Sequence, residues 1–226
     1  IHAIIEDNGG NIWASIFQKG LYLFPETPEI FRHYGYHAFG EKSIGSSCVT
    51  SIIGIDNHIW VGTDGDGIYQ INRENQNIKH LLLKNENREN DVNNILTIHN
   101  GSNGFVWLGT YFNGLIRYHK QTGKIKIYKH DPENANSICN DNITCITEDR
   151  LGILWLGTLG GGICRFDPKT EIFSPGLNSN DSLNSQLPMW VNTIFIDRKQ
   201  NLWIGTYVGL LYYDVQHQKQ IGRAHV

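Results

Sequence analysis

Apolar and polar residues alternate in short runs along almost the whole chain, and the runs return at a fixed distance. Ile143–Glu148 (ITCITE), Leu154–Thr158 (LWLGT) and Gly162–Asp167 (GICRFD) are rich in β-branched and aromatic side chains, as strands are. A shorter run at Glu171–Ser174, matched by Lys124–Lys129 one unit earlier, completes a group of four. Gly, Asn and Asp separate the runs, and these are the residues that tolerate the positive φ of hairpin turns. No stretch keeps a spacing of three or four between apolar residues for several turns. The pattern predicts four-stranded antiparallel sheets and almost no helix.

Three columns define the repeat. Tryptophans stand at Trp13, Trp60, Trp107, Trp155 and Trp203, spaced by 47, 47, 48 and 48 residues, within NIWAS, HIWVGT, FVWLGT, ILWLGT and NLWIGT. A glycine follows at Gly20, Gly67, Gly114, Gly162 and Gly209, each opening an apolar run. Upstream stand Ile1/Ile4, Val49/Ile52, Ile95/Ile98, Ile143/Ile146 and Val191/Ile194. In this first strand the third position is Ala3, Ser51, Thr97, Cys145 or Thr193, so both faces are apolar or small. A half-solvated sheet is polar on one face; these sheets are covered on both. Small residues in the first strand suit sheets that converge on an axis, which is the design of a β-propeller. The predicted fold is all-β, with blades at about 1–37, 49–83, 94–130, 143–175 and 190–217. Asn-rich connections (Lys84–Asn94, Asp131–Asn142 and about Gly176–Met189) carry the period from blade to blade. The last copy is one residue shorter between Trp203 and Gly209, and the sequence indicates no fourth strand for it. Ile221–Val226 (IGRAHV) departs from the pattern and reads as a non-native tail.

Composition narrows the function. The 226 residues carry 19 Lys and Arg against 22 Asp and Glu, a net charge of -3, without the basic excess of a nucleic-acid surface. An aromatic content of 11% argues against disorder. No apolar stretch approaches the ~18 residues of a membrane helix. The four cysteines include no C-x-x-C pair, so neither a zinc ribbon nor a dense disulfide framework is indicated.

The core W-[ILV]-G-T-x-x-G-G-[IL], preceded by a strand ending I-x-x-D-x-x-G, resembles the two-component regulator propeller repeat. Within it fall Gly62, Gly109, Gly157 and Gly205, followed by Thr63, Thr110, Thr158 and Thr206; the first copy departs, with Trp13-Ala14-Ser15. The resemblance extends from residue 1 to about 217. It implies a seven-bladed ring, of which five copies would form an arc, and a place in the periplasmic sensor region of a membrane-bound hybrid histidine kinase. It further implies missing blades or a second propeller in the same protein, a homodimeric receptor, and glycans or their breakdown products as ligands. An isolated arc would expose two blade faces and should associate.

The chemistry-bearing residues are weighed against packing. The five tryptophans occupy one slot, so packing between blades outweighs a role as sugar platforms. The threonines read as strand-end hydroxyls that satisfy backbone. Asp64-Gly65-Asp66-Gly67 has the opening of a calcium loop, but position 12 is Asn75 rather than Glu. Cys145 and Cys164 read as small core residues, and Cys48 and Cys139 pair only if folding brings them together. No metal-binding His spacing, nucleophile elbow or phosphate loop appears, so no catalytic residue, metal or cofactor is assigned. The variable positions at the turns between second and third strands are the ligand-binding candidates: Phe17, Asp64, Tyr111, Phe112 and Tyr207, with Trp190 just ahead of a first strand. Exposed aromatics there suit stacking on the apolar face of an oligosaccharide. A protein-docking platform and a propeller lyase or glycosidase are the alternatives; the latter requires paired carboxylates.

Overall fold

The computed structural model describes residues 1–26, 32–35, 43–83, 92–177, 190–216 and 219–224, without the side chains of Arg32, His33 and residues 219–224. Most of the connections Lys84–Asn94 and Gly176–Met189 lies outside this set. Every regular element in it is a strand. Five four-stranded sheets follow one another, each hydrogen-bonded in chain order, as in the blades of a β-propeller. Blade one is β1 (Ala3–Glu6), β2 (Ile12–Ile16), β3 (Gly20–Phe24) and β4 (Arg32–Tyr34). Blade two is β5 (Cys48–Ile55), β6 (His58–Asp64), β7 (Ile68–Asn72) and β8 (Ile78–Leu81). Blade three is β9 (Ile95–Asn100), β10 (Phe105–Thr110), β11 (Leu115–His119) and β12 (Ile125–Tyr128). Blade four is β13 (Ile143–Glu148), β14 (Leu154–Thr158), β15 (Ile163–Asp167) and β16 (Ile172–Pro175). Blade five is β17 (Val191–Ile196), β18 (Leu202–Thr206), β19 (Gly209–Asp214) and β20 (Lys219–Ala224). The chain divides into two compact units, Ile1–Asn100 and Gly101–Val226.

In the first unit, Trp13, Leu21 and Leu23 of blade one pack into one core with Val49, Ile59, Val61 and Ile71 of blade two. The second unit has two such seams. Trp107 and Leu115 meet Ile143, Leu154, Leu156 and Phe166; Trp155 meets Val191, Ile194, Leu202 and Ile204. In each seam the tryptophan face of one blade meets the isoleucine–leucine face of the next. The glycine two residues after the tryptophan permits this approach. A Cβ on Gly157 would stand 2.5 Å from Cys145 Sγ and 2.7 Å from Val191 Cγ1; on Gly62 it would meet Ser51 and Ile95.

The next threonine closes the turn. Thr158 Oγ1 donates to the Gly162 carbonyl (2.9 Å) and accepts from Gly161 N–H (2.9 Å); Thr63 and Thr110 do the same in their blades. Gly162 has φ 69°, so it belongs to the turn and β15 begins one residue later than the sequence pattern suggests.

Two features stabilise the blades, one between neighbours and one within a hairpin, that the repeat columns do not reveal. The first strands are bulged between Val49 and Ser51 and between Ile143 and Cys145, and a bulge re-aims the extra side chain. Thr50 Oγ1 thereby donates to the carbonyls of Gly62 in its own blade and Ile95 in the next. Thr144 does so to Gly157 and Val191.

The second feature is the carboxylate at the first hairpin. Asp149 Oδ1 accepts from Leu151 and Ile153 N–H, while Oδ2 accepts from the Trp155 indole at 3.1 Å. Asp7 repeats the arrangement with Trp13 (3.0 Å), and Asp197 with Trp203 (3.4 Å). Burial pushes the Asp7 carboxyl up, but hydrogen bonds from Trp13, Asn11 and Gly9 outweigh it and hold the group below its ordinary value. In blade three the position is Gly101, and Trp107 Nε1 is buried with no hydrogen-bond partner among the described residues.

Three expectations need correction. Cys139 is bonded to Cys164, with Cα atoms 6.0 Å apart, while Cys48 and Cys145 are free thiols. The connection after blade three folds back over β15, which brings residue 139 to residue 164; Cys164 is a staple as well as a core residue. Blade five does have a fourth strand, since Lys219–Ala224 pairs with β19 through an irregular register. Strand addition needs backbone more than side chains, so even the divergent residues Ile221–Ala224 extend the sheet. Finally, Trp203 is 39% exposed, whereas the other four repeat tryptophans are buried.

Candidate functional site

The turns between second and third strands and the inter-blade connections share one end of the blades, because they hydrogen-bond to each other. Gly65 and Gly67 N–H donate to the Asn93 carbonyl, Gly114 N–H to Asp141, and Leu159 N–H to Asn142. Leu159 also forms an isolated bridge with Trp190. In blades two, three and four the turn thus braces the chain segment leading into the following blade.

At this end the six sequence candidates fall into four local groups. Phe17 lies 5.4 Å from the His2 ring. Asp64 Oδ1 accepts from Asn94 Nδ2 at 2.6 Å, and Asp66 Oδ2 from Ser47 N–H, so turn contacts engage both carboxylates of the calcium-like motif. Tyr111 and Phe112 form a pair with centroids 4.0 Å apart. Phe112 sits at φ 70°, held by Asn142 Oδ1 on its N–H (2.8 Å) and by Lys129 Nζ on its carbonyl (3.0 Å). Trp190 and Tyr207 form a second pair at 5.6 Å. Phe112, Trp190 and Tyr207 are 62%, 55% and 65% exposed. Aromatic rings this far into water present flat apolar surface beside amide groups, the chemistry that stacks on a sugar ring.

A cleft of about 300 Å³ lies beside the staple, lined by His130, Asp131, Ser137, Ile138, Cys139 and Ile163 among others. Its polar groups are engaged. His130 Nδ1 lies 2.6 Å from the Ile138 carbonyl, and Ser137 Oγ bridges the N–H and carbonyl of Asp131. The repeat columns do not mark the Asp131–Asn142 connection as a cleft; its Asp131-Pro132…Asn134…Ser137 run is the available signal, because such residues build compact turns. Among the described residues no three His, Cys, Asp or Glu side chains converge as metal ligands do.

The arrangement is a propeller scaffold carrying exposed aromatic turns. Residues 137–160 and 185–208 match the two component regulator propeller family; the matched stretches take in β13 and β14 of the fourth blade and β17 and β18 of the fifth. No curated protein matches the chain in sequence. Among solved structures, the extracellular domain of the protein described as hybrid two component system BT3049 of B. thetaiotaomicron superposes with a TM-score of 0.76 at 20% identity. That likeness covers 96% of this chain and 29% of the other. The corresponding domain of BT4673 from the same organism gives 0.74 at 22% identity, covering 99% and 28%. PorZ, a surface component of the type-IX secretion system of Porphyromonas gingivalis, gives 0.68 at 17%, covering 98% and 33%. The chain therefore spans about a third or less of these proteins, and at such identities the likeness shows the β-propeller fold.

Proposed function

We propose that this chain is part of the extracytoplasmic sensor region of a two-component signalling protein and that its aromatic turns bind an oligosaccharide. The observation that carries the reading is the pair of exposed aromatic groups, Tyr111–Phe112 and Trp190–Tyr207, of which Phe112 is held by Asn142 and Lys129 and Trp190 bridges to Leu159. The regulator-propeller repeat supports the sensor role. The Cys139–Cys164 disulfide supports an oxidising compartment such as the periplasm. The segment itself acts by binding, with no catalytic step of its own. Its output belongs to a kinase module elsewhere in the parent, reached when ligand shifts the population of propeller arrangements in a paired receptor.

The experiment is calorimetric titration of the chain with a panel of plant and host oligosaccharides, repeated for Tyr111→Ala, Phe112→Ala, Trp190→Ala and Tyr207→Ala. Loss of one stacking platform is worth ~1 kcal/mol or more, so the best ligand should weaken about fivefold to tenfold at each position of a contacted pair. Unchanged affinity in all four folded variants would remove these turns as the site. Absence of any oligosaccharide binding would leave protein docking as the better account.

A further inference from the structure

Phe112 occupies a backbone position that the neighbouring blades give to glycine. It is the second residue after Thr110, as Gly65 is after Thr63 and Gly160 after Thr158. All three have positive φ: 70° at Phe112, 129° at Gly65 and 116° at Gly160. A bulky side chain in the left-handed region is strained, and such strain persists only where surrounding contacts enforce it. Most of those contacts come from one short segment. Asn142 Oδ1 accepts the Phe112 N–H and the Asp141 carbonyl accepts the Gly114 N–H, while the Asn142 carbonyl accepts Leu159 N–H from the turn of blade four. Residues 139–142 therefore lie between the turns of blades three and four. They pack closely there, since a Cβ on Gly161 would stand 2.8 Å from the Cys139 carbonyl oxygen. Each hydrogen bond of this clamp is one that water can replace. Its covalent hold is the bond from Cys139 to Cys164. Both cysteines also line the cleft of about 300 Å³. Cys164 is buried and Cys139 half-buried, so a thiolate entering the cleft meets Cys139 Sγ first.

We propose that the Cys139–Cys164 bond is a redox latch on the Phe112 platform. Oxidised, it pins residues 139–142 against blade four and keeps Phe112 in its strained, exposed posture; reduced, it frees the segment and the ring relaxes out of that posture. The proposal rests on the reading of Tyr111–Phe112 as a binding surface. The chemistry is thiol–disulfide exchange with an external dithiol. One thiolate of the dithiol attacks Cys139 Sγ, the S–S bond breaks, and Cys164 leaves as a thiolate that takes up a proton. The second thiol of the reductant, having lost its proton, displaces Cys139, which is protonated in turn. The reductant ends as a disulfide, and Cys139 and Cys164 end as thiols.

The test is amide hydrogen exchange of the 226-residue chain, oxidised and after treatment with dithiothreitol without denaturant, with alkylation and mass spectrometry reporting the thiols at 139 and 164. Exchange at the Phe112 and Gly114 N–H should accelerate at least ~10-fold on reduction, while the amides of β10 and β14 stay protected. Asn142→Ala removes the acceptor at Phe112 and leaves the bond intact, so it should accelerate Phe112 exchange in the oxidised chain. The oligosaccharide that binds the oxidised chain best should bind about fivefold more weakly after reduction, the loss of one stacking ring. A bond that resists dithiothreitol until the chain is denatured would overturn the inference. So would unchanged exchange at Phe112 in the reduced chain or in Asn142→Ala, or unchanged affinity for a ligand that Phe112→Ala weakens. Loss of protection throughout the blades would also overturn it, since the bond would then be a staple of the whole unit. If no oligosaccharide binds, the platform reading fails by itself, and exchange still decides whether the latch exists.

Discussion

Replacing Trp107 with Phe removes an indole N–H that is buried without an acceptor, whereas the same change at Trp155 removes one that donates to Asp149. Both tryptophans are buried in the second unit and both face the next blade, so the loss of ring volume is alike. For roughly 40 Å³ it costs about 1 kcal/mol at each site. At Trp155 a charge-assisted hydrogen bond also goes, contributing ~1.5 kcal/mol or somewhat more. The Arg165 guanidinium, 5.0 Å from the Trp155 ring centroid, loses its better cation–π partner as well. At Trp107 the change instead relieves an unsatisfied buried donor, a gain of ~1–3 kcal/mol. Trp155→Phe should therefore destabilise by about 2.5 kcal/mol or more, and Trp107→Phe by less than ~1. Trp107→Ala, which empties the slot, should still cost ~3–5 kcal/mol. Urea denaturation followed by far-UV circular dichroism measures these differences without relying on the fluorescence being altered. Equal losses in the two Phe variants, or a larger loss at Trp107, would refute the assignment of Trp107 as an orphaned donor.

Two further outcomes follow from the same geometry. The Cys139–Cys164 bond closes a loop with a sequence separation of 25; removing it with paired serines should cost about 3.5 kcal/mol by the loop-entropy relation, read as a lowered thermal midpoint that reductant reproduces in the wild type. Asp7 is held below its ordinary value as described, and Asp197 is too, first through the Asn201 N–H. A carboxylate depressed in the folded state contributes stability above its unfolded pKa near 3.9 and loses it as pH falls through the folded value. Melting temperature should therefore drop below about pH 4, and Asp7→Asn should flatten that acid limb.

The blades were legible because their determinants recur in place. The Trp13–Trp203 column, the glycine column and Ile4/Ile52/Ile98/Ile146/Ile194 locate three strands of every unit within a residue or so. Residues such as Gly162 and Glu171 (φ 58°) close turns instead of opening strands. What escaped was contingent on tertiary approach. Which cysteine meets Cys164 depends on how 131–142 folds back, and nothing local specifies that path. The clamps by Thr50 and Thr144 arise from a bulge, which alternation alone does not register. The exposure of Trp203 depends on what lies across its face, since its local sequence matches that of buried Trp155. The Asp–Trp pairing was present as a six-residue spacing at Asp7, Asp149 and Asp197. It went unread because the aspartate looked like turn chemistry alone. For the candidate site, the turn aromatics were visible as departures from the repeat, but only the structure joins Trp190 to Tyr207.

That six-residue Asp–Trp link has an evolutionary corollary. Carboxylate, hairpin corner and wedge ring are all written within one stretch such as Asp149–Trp155, so a duplicated segment of DNA would arrive with its corner already specified and its ring already anchored. A gene built this way can lengthen by whole modules without waiting for compensating changes elsewhere. The Gly101 module shows the converse: without a carboxylate at that position Trp107 Nε1 stands without an acceptor among the described residues, yet its four strands pair in the same order as the other blades.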